Sequence, residues 1–311
     1  MLITIDRLRG LVLSRSARPT GLTTPVRAVV NMLVAVLALV GPAQVASGQG
    51  GSMTTQSADG TSIAYSVADR GEPTIVFVHG WACDQSYWAD QVTYFGRTHQ
   101  VITLDLAGHG GSGRNRTDWT VQRFSDDVAA VVRASGAKKV VLVGHSLGGP
   151  VVVEAAHQLK AQTVAVVGVD TFFDVWAAPA FTNLLAQMRT DYPATASAFA
   201  RTQFFNAHSD PALVASVTRA VASTPPEIGT PALAALIPWA TTRSAQALAT
   251  LGVPLGTIQA QDAGHANLER ARPLIPRLDT TVMAGLGHFL MLEDPDRFDT
   301  TLSALIDRLT K

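Results

Sequence analysis

The feature that most limits how this chain folds is an alternation of short β-branched runs with longer amphipathic stretches. Residues 74–78 (TIVFV), 101–104 (VITL), 140–143 (VVLV), 164–169 (VAVVGV), a weaker 255–258 and 280–283 are short and mostly apolar. Apolar runs of that length, separated by helical periodicity, are what a parallel sheet covered on both faces requires. Residues 54–57 and 62–67 flank Ala58-Asp59-Gly60-Thr61, whose Asp-Gly suits a hairpin, so the sheet should begin antiparallel and reach eight strands. Between strands, 120–135 puts Val121, Phe124, Val128, Val131 and Val132 near one helical face and stops at Gly136. Asp294 and Pro295 form an N-cap and N1 pair for a last helix ending near residue 309. The predicted class is α/β: a mostly parallel, eight-stranded sheet flanked by helices.

One interval breaks the alternation. Residues 171–252 contain no clear strand, are rich in alanine, and carry Pro193, Pro211, Pro225, Pro226 and Pro231 as helix boundaries. They read as several short helices inserted between two strands. An insertion after the C-terminal end of a strand lies over the crevice where open α/β sheets bind ligands, which makes it a candidate lid.

Composition excludes several classes. With 15% charged residues and 47% hydrophobic ones, the 311-residue chain has ample core and is no disordered segment. Its 24 Lys and Arg balance 24 Asp and Glu, so no global field marks a nucleic-acid partner. A lone Cys83 permits neither an internal disulfide nor a cysteine zinc site. The neutral total conceals an asymmetry, because residues 1–50 carry Arg7, Arg9, Arg15, Arg18 and Arg27 against Asp6 alone. Arg27 is followed by the apolar run 28–40 and then by small residues suited to cleavage near Ala46 or Ser47. That run of 13 residues is shorter than the roughly 20 needed to span a bilayer. Residues 1–50 are thus expected to be an export signal, cleaved or a weak anchor, and 51–311 a secreted or envelope domain.

The chemistry-bearing motif is Gly144-His145-Ser146-Leu147-Gly148-Gly149, placed between the strand 140–143 and the helical stretch from Pro150. A glycine–x–serine–x–glycine match is weak alone. Between a strand and a helix it describes a strained elbow that exposes a serine hydroxyl above the sheet, with glycines where backbones approach too closely for a Cβ. Ser146 is the candidate nucleophile, and a helix N-terminus beside it favours developing negative charge.

Four motifs in order resemble the α/β-hydrolase fold family: Val78-His79-Gly80-Trp81, Asp105 to Gly113 (DLAGHGGSG), the elbow itself, and Gly287-His288-Phe289 with Glu293-Asp294-Pro295. The resemblance covers essentially all of 54–311. It implies an oxyanion hole built from the backbone N–H groups of Leu147 and Trp81, and roles in shaping loops for His79, His109 and Asp105. A serine hydroxyl needs a base, and His288 is the best candidate: it follows the last strand and comes after Ser146 in chain order.

The carboxylate that orients His288 stays open. Asp170 ends the run 164–169, a position some branches of the family use. Asp262 follows the run 255–258, the commoner position, but Ala260-Gln261-Asp262-Ala263 lacks the usual Gly-x-x-Asp pattern. Asp170 is preferred, Asp262 is the alternative, and Asp174 is a lesser one. No metal-ligand or phosphate-loop spacing occurs, so neither cofactor nor metal is expected. The expected activity is serine hydrolysis of carboxylic esters or lactones through an acyl-enzyme. Carbon–carbon bond hydrolysis, peptidase action, perhydrolysis or a low-turnover ligand sensor are the alternatives. The expected partner is a small molecule with an apolar acyl group, met by lid residues such as Phe172, Phe173, Trp176, Phe181 and Trp239. No nucleic acid is expected, nor membrane contact beyond the N-terminal signal.

Overall fold

The computed structural model describes residues 52–171, 179–260, 272–275 and 277–311. The expected export signal, Phe172, Phe173, Asp174, Trp176 and Asp262 lie outside the described residues. Strands β1 (Met53–Gln56) and β2 (Ser62–Ala68) form the antiparallel hairpin, with Asp59 accepting from the Thr61 N–H in its turn. β2 runs antiparallel to β4 (Val101–Leu104), and from there every pairing is parallel: β4 with β3 (Thr74–Val78), then β5 (Val140–His145), β6 (Thr163–Val169), β7 (Leu255–Ala260) and β8 (Asp279–Met283). The spatial order is β1-β2-β4-β3-β5-β6-β7-β8.

Strands β3, β4, β5 and β7 are buried along their whole length, as a sheet covered on both faces requires, and in the less apolar β7 that burial takes in Thr257 and Gln259. β8 departs from that expectation. It is an edge strand with Val282 53% exposed, because a neighbour on only one side leaves part of its surface in water.

Helices α1 (Ala89–Phe95), α2 (Val121–Ser135) and α3 (Gly148–Leu159) connect the central strands. α2 begins where Thr120 accepts from the Arg123 N–H and ends at Gly136, whose φ of 73° favours a residue without a Cβ. Its buried face holds the five expected apolar residues and also Asp127. That carboxylate is paired with the buried Arg116, whose guanidinium also reaches Asp59 in the first hairpin. The same Asp127 carboxylate accepts from the Ser57 hydroxyl at 2.6 Å and from the Ala107 N–H at 3.0 Å, the latter tying α2 to the loop after β4.

Between β6 and β7 lies the helical insertion: α4 (Pro179–Thr190), α5 (Tyr192–Gln203), α6 (Pro211–Ser223), α7 (Pro226–Ala234), a helical run over Leu236–Arg243 that includes a π turn, and α8 (Ser244–Ala249). Asp191 and Asp210 cap α5 and α6 just ahead of Pro193 and Pro211. Trp239, expected as a pocket residue, is instead buried between the insertion and α3: its indole N–H donates to Glu154, which also pairs with Arg243. After β8 come α9 (Leu290–Glu293) and α10 (Pro295–Leu309), the latter capped by Asp294.

Candidate active site

Ser146 sits in the turn between β5 and α3 with φ 52°, a left-handed conformation disfavoured for a residue with a side chain. Three backbone contacts hold it there. Its N–H donates to the Val169 carbonyl, and its own carbonyl accepts from the Gly149 N–H and from the Thr171 hydroxyl at 2.6 Å. The glycines around it have a steric reason: a Cβ on Gly144 would strike the Gly148 carbonyl, and one on Gly148 would lie 2.6 Å from the Val78 carbonyl oxygen. Ser146 remains partly accessible while residues on either side of it are buried.

The loop after β3 approaches the elbow from the other side. A Cβ on Gly80 would stand 3.0 Å from that of Ser146, so glycine here allows the next backbone N–H, that of Trp81, to come near the serine. Among the described residues, neither the Trp81 nor the Leu147 backbone N–H donates to a protein acceptor. The Trp81 side chain is buried; its indole donates to the Gly229 carbonyl of α7 at 2.7 Å and meets Tyr192 and Phe199 edge-on. Cys83 nearby is buried, its thiol donates to the Trp81 carbonyl, and burial raises its pKa far out of the range in which it reacts.

His288 follows β8 through a turn at Gly285 and is 2% exposed. Its Nδ1 lies 2.6 Å from Asp170 Oδ2, and the other oxygen of Asp170 accepts from the Ala260 N–H at the end of β7. Asp170 itself has φ 38° and is 1% exposed. A carboxylate with one oxygen held by backbone and the other on Nδ1 fixes the tautomer that presents Nε2 as a base. The structure therefore brings His288 to Asp170. Asp262, two residues beyond β7, is not among the described residues.

Sequence reasoning missed the groups that hold His288 from behind. His145 Nε2 donates to the His288 carbonyl at 2.9 Å, and the two ring centroids are 4.5 Å apart. Burial first, and His288 second, drive the His145 pKa well below the ordinary value, so it stays neutral. Glu293 accepts from the Gly287 N–H and from Ser209, and Phe204 of the insertion stacks on the His288 ring. The Phe204-Phe205 pair in an alanine-rich stretch was the one available hint that this segment turns inward.

The remaining motif histidines are committed elsewhere. His79 accepts from the Leu106 N–H on Nε2 and donates from Nδ1 to the Gly80 carbonyl. His109 accepts from Ala82 and donates to the Ala107 carbonyl; burial, then the nearby His79, pushes its pKa down to about 3. Asp105 accepts from the Gln85 backbone and side chain and from Gly111, which closes the glycine-rich loop around it. No group of three or more His, Cys, Asp or Glu side chains among the described residues is arranged to hold a metal ion.

A family profile described as the alpha/beta hydrolase family matches residues 75–300. The chain belongs to that family. It is 38% identical over 94 residues to a non-heme haloperoxidase of Rhodococcus erythropolis, covering 30% of this chain and 34% of that protein. It is also 38% identical over 101 residues to a bifunctional esterase/perhydrolase of Acinetobacter calcoaceticus, covering 32% of this chain and 36% of that one. The matched stretch thus spans about a third of these curated relatives. Among solved structures, a protein assigned as an aryl esterase from Burkholderia cenocepacia superposes with a TM-score of 0.71 at 28% identity, covering 83% of this chain and 99% of that one. A thermophilic esterase from Thermogutta terrifontis superposes at 0.73 with 22% identity, over 84% of this chain and all of its own, and shares the fold.

Proposed function

We propose that this α/β hydrolase is a serine esterase that cleaves carboxylic esters or lactones with small apolar acyl groups. Ser146 Oγ attacks the carbonyl while His288 Nε2 takes its proton. Asp170 holds the imidazole and offsets its positive charge. The Trp81 and Leu147 N–H groups receive the oxyanion, and each such donor is worth about 2.7–4 kcal/mol of the barrier. His288 then protonates the leaving alcohol, and water, deprotonated by the same nitrogen, releases the acid from the acyl-enzyme.

The observation that carries this reading is the 2.6 Å Asp170–His288 contact at the sheet edge that also bears the strained Ser146 elbow. The basic and apolar composition of residues 1–50 supports action outside the cytoplasm, which N-terminal sequencing of the exported protein tests. For the chemistry, the test is turnover of p-nitrophenyl acetate and of an ester and lactone panel by the wild type and Ser146→Ala. Loss of turnover in the variant is expected; equal turnover would remove Ser146 from the mechanism.

The relatives named for haloperoxidase and perhydrolase activity favour a second reaction at the same site. Hydrogen peroxide in place of water would attack the acyl-enzyme, giving a peracid and free serine. Peracid formation from an ester and hydrogen peroxide, abolished by Ser146→Ala, is its signature.

A further inference from the structure

The insertion touches the base-bearing loop through a stretch of six residues between α5 and α6. The Phe204 carbonyl accepts the His288 N–H at 2.7 Å, and the Phe204 ring lies 4.6 Å from the imidazole centroid at an interplanar angle of 23°. Phe205 stacks on Phe289 at 5.7 Å, and Asn206 Nδ2 donates to the Gly285 carbonyl. Ser209 donates to Glu293 Oε2, the same oxygen that accepts from Gly287.

A hydrogen bond on Nδ1 sets the tautomer of an imidazole but does not by itself stop the ring plane from rocking by rotation about its side-chain bonds. A base must nevertheless keep Nε2 aligned with the serine hydroxyl in one half-reaction and with water in the other, and a displacement near 1 Å costs on the order of a hundredfold in rate. A flat ring against the imidazole face blocks that rotation, and a carbonyl on the backbone N–H of the same residue fixes its origin.

We infer that Phe204 is a positioning residue for the His288 base, and that through it the insertion is a fixed part of the acid–base apparatus. This rests on the triad reading above. Both half-reactions pass their proton through His288, so loss of the ring lowers kcat and leaves KM nearly constant.

The experiment compares Phe204→Leu, Phe204→Tyr and Ser146→Ala on the ester turned over fastest in the panel, together with the low-field proton resonance of the His288–Asp170 hydrogen bond. Phe204→Leu is expected to lower kcat about 10- to 100-fold with KM within about threefold, and to broaden that resonance. Phe204→Tyr, which keeps a ring, is expected to retain both kcat and the sharp signal. If Phe204→Leu does not fold, Ser209→Ala loosens the same loop and reads the same quantity: a lower kcat at constant KM supports the inference, and an unchanged kcat overturns it. Wild-type kinetics in Phe204→Leu, or a raised KM at unchanged kcat, overturns it too, since the ring is then packing or lines the acyl site. Ser146→Ala separates the two levels: an active variant overturns the triad reading and this inference with it. An inactive one beside a fully active Phe204→Leu overturns only this inference.

Discussion

Two clusters of carboxylate and imidazole lie at the C-terminal edge of the sheet, and they differ in what the imidazole nitrogens hold. Around Asp105, the rings of His79 and His109 give both nitrogens to backbone groups, and the carboxylate closes a loop. Around Asp170, the carboxylate sits on His288 Nδ1 itself. The first arrangement suits a neutral ring that never changes charge. The second favours a ring that becomes positive during a reaction. Burial and the presence of a nearby carboxylate are common to both, so in the mechanism proposed above the identity of the Nδ1 partner is what separates a scaffold ring from the base.

The sharpest way to break this contrast is to remove each carboxylate. Asp170→Asn should lower kcat about 10⁴-fold, the loss expected when the base is left in the wrong tautomer. Asp105→Asn should lower the melting temperature while kcat stays within about tenfold, since the carboxylate holds loops rather than the base. Asp262→Asn should leave kcat within about twofold. Steady-state kinetics and thermal melts of the three variants decide the matter, and an Asp105 variant as inactive as the Asp170 one would dissolve the distinction.

Next in size is the buried ion pair beside the scaffold cluster. Arg116→Met leaves Asp127 buried without its cation and should cost about 3–5 kcal/mol in urea unfolding, with turnover of the folded fraction little changed. A pH profile adds a smaller, sharper test. Burial lowers the pKa of His79 and of His145 and brings that of His109 down to about 3, which favours the neutral form of all three rings. The acid limb of kcat/KM should therefore rise about tenfold per pH unit, with a slope of one; a slope of two would mean that a scaffold histidine also ionises.

The smallest expected effect lies on the far side of the core. Asp299, in α10, donates no proton at neutral pH but is buried against Gln91, and desolvation pushes its pKa up to about 6. The folded state then binds more protons than the unfolded chain between about pH 4 and 6, so stability falls as pH rises through that window and the full penalty remains above it. Asp299→Asn should raise the melting temperature by about 2–4 °C at pH 7.5 and leave it nearly unchanged at pH 4.

How much of this was legible in sequence depends on whether the cause is local. The elbow, the hairpin turn, the Gly136 and Asp294 caps and the buried strands all follow from neighbours within a few positions, and each stands where its residues predict. Asp170 is preferred in the sequence because it ends a strand at a position some branches of the family use and because Asp262 lacks the usual Gly-x-x-Asp pattern; its contact with His288 joins residues 118 positions apart. The contacts that escaped are of the same long-range kind but lack a motif. Trp239 reads as an apolar pocket residue until Glu154, 85 positions away, is seen to accept its N–H. Phe204 carries no signal of its proximity to His288, because stacking leaves no spacing rule in the chain. β8 misled for a topological reason: an edge strand and a central one of four or five residues look alike until the strand order is known.

Trp81 belongs to the core loop by its backbone and grips α7 by its indole, through the Gly229 carbonyl. Evolution and engineering often treat such helical insertions as exchangeable hoods that reset substrate range over a constant catalytic floor. Here a transplanted hood would arrive without its acceptor for that indole unless its own chain presented a carbonyl at the same spot. A chimera of this enzyme would thus inherit its donor's specificity together with a shift in the loop that follows Gly80, and recombination boundaries at the two ends of the insertion are less clean than the strand order suggests.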